Sequence, residues 1–207
     1  LRYYSNIVGK YSNMVQKAFA KLQGVEIKMI APSHGLVWRG NPGRVLELYS
    51  KWCNWESEKG VVIAYASMYG NTEQMADLIG AKLGAKGIPV RTHDVSKSHV
   101  SYMLADILSD IWKYKGLILG TCAYNTQMHP MMEHLCNEIK LVAPKDKVLS
   151  VFGSSTWNGA GVKALVKYAP EMGMEITGTP LEIMGSATFD KLDKAADEFV
   201  EQFIAAL

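Results

Sequence analysis

The chain has 207 residues, 48 % apolar and 20 % charged, which is the balance of an ordinary globular protein and excludes a disordered, collagenous or disulfide-dense one. Its 22 Lys and Arg against 20 Asp and Glu leave a formal charge of +2 with no basic block, so a nucleic-acid partner is not expected. No apolar run reaches the ~18 residues that cross a bilayer, the start lacks a signal-peptide core, and Cys53, Cys122 and Cys136 show no CxxC spacing; reduced thiols, a cytoplasmic location and no membrane partner are expected.

Tyr4, Ile7, Val8, Tyr11, Val15, Ala18, Phe19 and Leu22 recur at helical spacing and predict an amphipathic helix over 2–22 with one broad apolar face, ended by Gly24. Residues 25–31 (VEIKMIA) read as a strand, and Asn41 and Pro42 open a second helix that buries Val45, Leu46, Tyr49 and Trp52. A lone strand leaves amides unpaired along both edges, so this helix–strand–helix unit should belong to a larger domain whose other strands lie outside the chain; alternatively, 25–31 extends the sheet that follows. The turn Pro32-Ser33-His34-Gly35 places an imidazole at that strand's carboxyl end. Metal ligands and active-site groups occur there, but one imidazole needs further ligands, and a lone loop histidine is more often structural.

After the polar joint at 56–60 strands and helices alternate, with strands predicted at 61–66, 88–94, 116–120, 147–153 and 174–184. The first intervening helix carries Met75, Leu78, Ile79 and Leu83 on one face, and the last carries Phe189, Leu192, Ala196, Phe199, Phe203 and Leu207. Near-continuous apolar strands (VVIAYA, GLILGT, VLSVFG) imply a parallel sheet covered on both faces, and right-handed crossovers make it doubly wound. The expected partition is 1–56 and 60–207. Such sheets bind ligands outside the carboxyl ends of their strands, where the winding reverses.

Three loops lie there. Ser67, Met68, Tyr69, Gly70, Asn71 and Thr72 follow the first strand and lead into a helix without any Lys or Arg. Backbone amides, the helix dipole and the side chains of Ser67, Asn71 and Thr72 suit one phosphate; an ordinary capped helix start is the plain alternative. The pattern is neither G-x-G-x-x-G nor a nucleoside-triphosphate loop. Thr121, Cys122, Ala123, Tyr124 and Asn125 follow the third strand, and Ser154, Ser155, Thr156, Trp157, Asn158 and Gly159 the fourth. Small residues let amides approach a planar ring and Tyr124 or Trp157 can cover it, although either aromatic could equally be a packing plug. Together the loops describe a pocket for a planar aromatic ligand bearing one phosphate, and flavin mononucleotide (FMN) meets that description. His93, His99, His129 and His134 are expected in surface or capping roles, and Met68, Met75, Met103, Met128, Met131 and Met132 in packing.

Four stretches carry a resemblance over the whole chain: Arg2-Tyr3-Tyr4-Ser5-Asn6-Ile7, Ile30 to Arg39 around Pro-Ser-His-Gly, Tyr65 to Thr72, and Phe152-Gly153-Ser154 through Trp157. The chain resembles the C-terminal part of flavodiiron proteins (A-type flavoproteins). The resemblance implies a flavodoxin-like α/β fold, a doubly wound five-stranded parallel sheet of order 2-1-3-4-5, preceded by an α-β-α remnant of a metallo-β-lactamase-like domain. It also implies FMN, and a non-haem diiron centre for which His34 is one ligand while the others lie upstream of Leu1, leaving the site incomplete here. The implied activity of the intact protein is reduction of dioxygen to water, nitric oxide to nitrous oxide, or both; the fragment alone would only carry electrons. An external donor (rubredoxin, reduced deazaflavin or a flavin reductase) and a head-to-tail homodimer go with it. Ser155 and Thr156 depart from the aromatic-Gly pair of many relatives, which bears on the ring environment. The alternatives are a stand-alone flavodoxin-like electron carrier and an NAD(P)H-dependent quinone reductase.

Overall fold

The computed structural model describes residues 1–97, 100–185 and 187–207. Strands β1 (Glu58–Ala66), β2 (Val90–Asp94), β3 (Tyr114–Tyr124), β5 (Val148–Ser155) and β6 (Leu181–Met184) form a parallel sheet in the order β2-β1-β3-β5-β6. The short β4 (Gln127–Met128) pairs antiparallel with the end of β3. Leaving that hairpin aside, the order is the 2-1-3-4-5 implied by the resemblance. Helices α3 (Asn71–Ala85) and α7 (Phe189–Ile204) cover one face, and α4 (Val100–Lys113), α5 (Pro130–Val142) and α6 (Ala160–Tyr168) the other.

Alternation along β1 explains the two layers. Val61, Ile63 and Tyr65 join Ile79, Leu83, Phe199 and Phe203 in one core, while Val62, Ala64 and Ala66 join Ile107, Ile111, Leu135 and Leu165 in the other. Burying a side chain such as Ile63 contributes roughly 1.5–3 kcal/mol. Every strand differs from its expected bounds by a residue or more; β1 starts earlier, at Glu58, and β2 later, at Val90. β3 runs on to Tyr124 because the hairpin continues its ladder, and β5 runs on to Ser155. Only Leu181–Met184 of the expected 174–184 is strand: Gly178 (φ +72°) and Pro180, which has no amide to donate, break the ladder, and Ile176 makes one isolated bridge to Leu149.

The first segment departs further. The chain coils through a wide turn at Tyr4–Val8 and a tight one at Gly9–Tyr11 before α1 (Ser12–Lys21), and these irregular turns split the expected apolar face: Tyr4, Val8 and Val15 pack on the core while other members turn outward. Tyr4, Ser5, Gly9 and Ser12 are buried, whereas Ile7, Tyr11 and Leu22 are exposed. Tyr4 packs among Tyr49, Trp52 and Trp112, with ring centroids 5.1, 5.3 and 5.7 Å away, and its hydroxyl bonds Ser12 Oγ at 2.9 Å. Gly9 lies flat on Trp112, where a Cβ would come within 2.5 Å of the indole.

Residues 25–31 do not form the expected strand. Ile30 makes one antiparallel bridge to Trp38 (3.0 and 2.9 Å), and the segment does not join the sheet, so the alternative placement is not realised either; with no neighbouring strand to ladder against, it pairs only across its own turn. Helix α2 (Pro42–Cys53) starts as predicted, with Asn41 Oδ1 accepting the Arg44 amide at 3.1 Å. At the joint, Lys147 donates to Ser57 Oγ (2.7 Å), Tyr114 O (2.8 Å) and Trp112 O (3.3 Å), and burial, with Lys115 adding to it, pushes its ammonium down to about 7.

Candidate functional site

The winding reverses between β1 and β3, and the three loops meet at the carboxyl ends there. The first begins with Ser67. Gly70, in the left-handed conformation at φ +87°, is the cap residue of α3 and has no side chain to cap the first turn; its own amide donates to Ser67 Oγ at 3.1 Å. Asn71 is therefore already helical and exposed, and Thr72 is fully buried; neither serves as the ordinary cap. The first amides of α3 are left without intrahelical acceptors at the positive end of its dipole. Met68 and Tyr69 stand out from the loop, Tyr69 with 88 % of its surface exposed.

Hydrogen bonds and close packing join the loops. Thr72 Oγ1 and Ser154 Oγ share a buried bond of 2.8 Å, tying the first loop to the third. Gly161 at the start of α6 presses on the second loop, where a Cβ would meet Thr121 Cγ2 at 3.0 Å and Cys122 O at 3.1 Å. The Cys122 thiol is pushed up by burial, with the Met68 amide beside it only partly offsetting this, so it is neutral near pH 7.

The second loop is a hairpin rather than an open loop. Thr121 is buried inside β3, its oxygen accepting the His129 amide (2.9 Å) and its hydroxyl donating to Cys122 O (3.0 Å). Ala123 and Tyr124 pair with Met128 and Gln127, so Asn125 and Thr126 form a two-residue turn, both at positive φ (+44° and +61°). Thr126 is β-branched and therefore strained there. Tyr124 is partly exposed, its ring edge-on to His129 at 6.1 Å.

In the third loop Ser155 Oγ accepts the Gly159 amide (3.0 Å) and Asn158 Oδ1 the Ala160 amide (3.2 Å). Thr156 is exposed, and Trp157 stands 75 % exposed at the rim. Behind Gly159 lies Glu182, whose two carboxylate oxygens are buried and whose pKa burial pushes up. No sequence pattern singled out Glu182, nor Asp94 at the end of β2 with Ser96 and Lys97 beyond it, of which Ser96 bonds Ser67 and Lys97 bonds Glu73. The only available signal was a run of acid, hydroxyl and base at a strand's carboxyl end.

The remaining predicted residues sort simply. His34 stacks on Tyr3 (4.8 Å between centroids, 25° between planes) beside a cleft of about 410 Å³, and among the described residues no three His, Cys, Asp or Glu side chains converge on a metal-sized site. One imidazole does not make a diiron centre. His129 caps α5 through Nδ1, His134 is exposed, and His93 pairs with Asp110 at 2.9 Å; His99 lies outside the described residues. Met75, Met128 and Met132 are buried and Met131 packs on the core, but Met68 is exposed; the Met103 side chain is outside what is described. All three cysteines are free and buried. Among the described residues no helix is long and apolar enough to cross a membrane.

Comparison with known proteins follows the same outline. The flavodoxin family pattern matches residues 63–199. A nitric oxide reductase of Moorella thermoacetica is 32 % identical over 181 residues, covering 86 % of this chain and 44 % of that protein. An anaerobic nitric oxide reductase flavorubredoxin of Escherichia coli is 33 % identical over 180 residues, 85 % of this chain and 37 % of its own. The solved rubredoxin:oxygen oxidoreductase of Desulfovibrio gigas superposes with a TM-score of 0.86 at 27 % identity, covering 99 % of this chain and 52 % of that one. The chain thus spans about half the length, or less, of these relatives.

Proposed function

We propose, for a chain that belongs to the flavodoxin family and, by its likeness from end to end, to the flavodiiron proteins, that residues 60–207 bind FMN and pass electrons within a longer oxidoreductase. The carrying observation is the start of α3: a helix end held open by Gly70 shortly after β1, at the reversal of strand order, whose cap residue offers no side chain to the first-turn amides. It fits a single phosphate. Ser67, Met68, Tyr69, Gly70, Asn71 and Thr72 would hold that group through backbone amides and hydroxyls, each bond to a charged oxygen worth roughly 1.5–3 kcal/mol. Thr121, Cys122, Ala123, Tyr124 and Asn125, with Ser154, Ser155, Thr156, Trp157, Asn158 and Gly159, would border the ring. The neutral Cys122 thiol and the exposed rims of Tyr124 and Trp157 suit an uncharged aromatic surface. Bound flavin supplies one- and two-electron transfer; the protein places it and excludes water from it.

The resemblance carries the rest: 1–56 as the end of a metallo-β-lactamase-like domain, His34 as one ligand of a diiron centre completed by sequence outside these residues, and reduction of dioxygen or nitric oxide there. Names of relatives support a rubredoxin-type donor for such a protein; a head-to-tail homodimer and a cytoplasmic location rest on the resemblance alone. The isolated chain, with a lone His34, is on this reading an electron carrier. Titrating the purified chain with FMN tests the central claim: saturable fluorescence quenching is expected, and material that stays colourless in excess FMN would overturn it. Thr72→Ala, which removes the buried bond to Ser154, should weaken FMN by about 1–3 kcal/mol, one to two decades in Kd.

A further inference from the structure

The loop after β2 grips both ends of the phosphate loop. Asp94 pairs in register with Tyr65 at the end of β1, and Val95 N–H donates to Tyr65 O at 2.8 Å, which fixes this loop beside the first. Asp94 Oδ1 takes the Ser96 amide at 2.9 Å and the Ser96 hydroxyl as well, and Asp94 Oδ2 pairs with Lys97 Nζ at 2.9 Å. Ser96 Oγ accepts the Ser67 amide (3.3 Å), and Ser67 Oγ accepts the Gly70 amide (3.1 Å). Backbone N–H groups only donate, so both serine oxygens use lone pairs along this chain. The Ser96 proton then goes to the carboxylate, the stronger acceptor of the two oxygens in its reach. The Ser67 proton is the one left over, available to an anion outside the loop. At the other end Lys97 Nζ bonds Glu73 Oε1 (2.7 Å), and Tyr65 Oη donates to the same oxygen at 3.3 Å. Glu73 is the acidic residue in the first turn of α3, where an unpaired carboxylate would repel a phosphate.

We infer that Asp94, Ser96 and Lys97 are positioning residues for phosphate recognition: Ser96, held by Asp94, orients Ser67 as a hydrogen-bond donor, and Lys97 neutralises Glu73 at the helix start. The inference rests on the FMN reading above and adds to it that selectivity for the phosphorylated flavin comes from a loop that does not touch the ligand. Burial pushes the Asp94 carboxyl up, but the Ser96 and Lys97 bonds outweigh that and hold it below the usual range, consistent with an ionised anchor.

The test compares FMN with riboflavin, which has the same ring and no phosphate, on the whole chain. Ser96→Ala should weaken FMN about tenfold while leaving riboflavin unchanged, so the preference between the two falls, and Ser96→Thr should restore it. Lys97→Met alters a side chain that lies mostly at the surface, and urea unfolding checks that the chain still folds; it should weaken FMN about threefold, again without effect on riboflavin, and more at low salt. If Ser96→Ala weakens both flavins equally, or neither, the positioning role is refuted while the FMN reading stands. Should Ser96→Ala fail to fold, Lys97→Met decides by the same criterion. If the unaltered chain binds neither flavin, both readings fall.

Discussion

The two halves of this chain bury their surfaces by different logic. From 60 onward, apolar side chains point inward because each central strand has neighbours on both edges and helices on both faces; Val61, Ile63, Leu117, Ile118 and Leu119 are all fully buried. In the first 56 residues, apart from Tyr4 and Cys53, the fully buried positions are small or polar while many large apolar side chains stand outside: Ser5, Gly9 and Ser12 are covered, and Ile7, Met14 and Leu36 are exposed, Leu36 by 81 %. The face a helix buries is set by what it meets. Here it meets Trp112 and Trp52, which leave room for a glycine and a hydroxyl but not for an isoleucine.

Tyr4→Ala should do the most to break this contrast, since Tyr4 is the large side chain of the first segment that is fully buried in the shared core, with Tyr49 and Trp52 half-buried against it. A loss of about 3–5 kcal/mol by urea unfolding is expected, as for a buried aromatic of the sheet domain; a loss below ~1 kcal/mol would mean that the segment is not docked. Next comes the joint. Lys147 titrates near 7 when folded and near 10.5 when unfolded, so between those values the unfolded chain holds more protons. Its contribution to stability is fully present above about 10.5 and lost as the pH falls to about 7, a slope approaching 1.4 kcal/mol per pH unit. Lys147→Met should flatten that slope in urea titrations between pH 7 and 10; an unchanged slope would show that the ammonium is not buried. Thr126→Gly relieves a left-handed β-branched residue in the hairpin and should raise stability by about 1 kcal/mol, read as a higher Tm. Ile7→Ser, on the exposed side of the first helix, should change stability by less than ~0.5 kcal/mol.

At the site, legibility followed the same divide. Gly70 and the hydroxyls around it stand in one continuous stretch after an apolar strand, so their chemistry could be read directly. The meeting of Thr72 with Ser154, 82 positions apart, could not, because no local pattern encodes a contact between a helix start and the end of a distant strand. Nor could the hairpin at Asn125-Thr126, whose turn lacks the glycine that announces such turns. Asp94, Ser96 and Lys97 look like any polar loop until β2 pairs with β1 and brings them beside Ser67.

Period and composition alone were enough to dictate the alternating α/β domain and its parallel sheet, because a run such as VVIAYA can be satisfied only between two covering layers. Tertiary structure decided which face of the first helix is buried, that 25–31 does not become a strand, and which hydroxyls face inward. These depend on a partner surface distant in the chain: a helix can turn any side to solvent, and a strand exists only where another lies beside it.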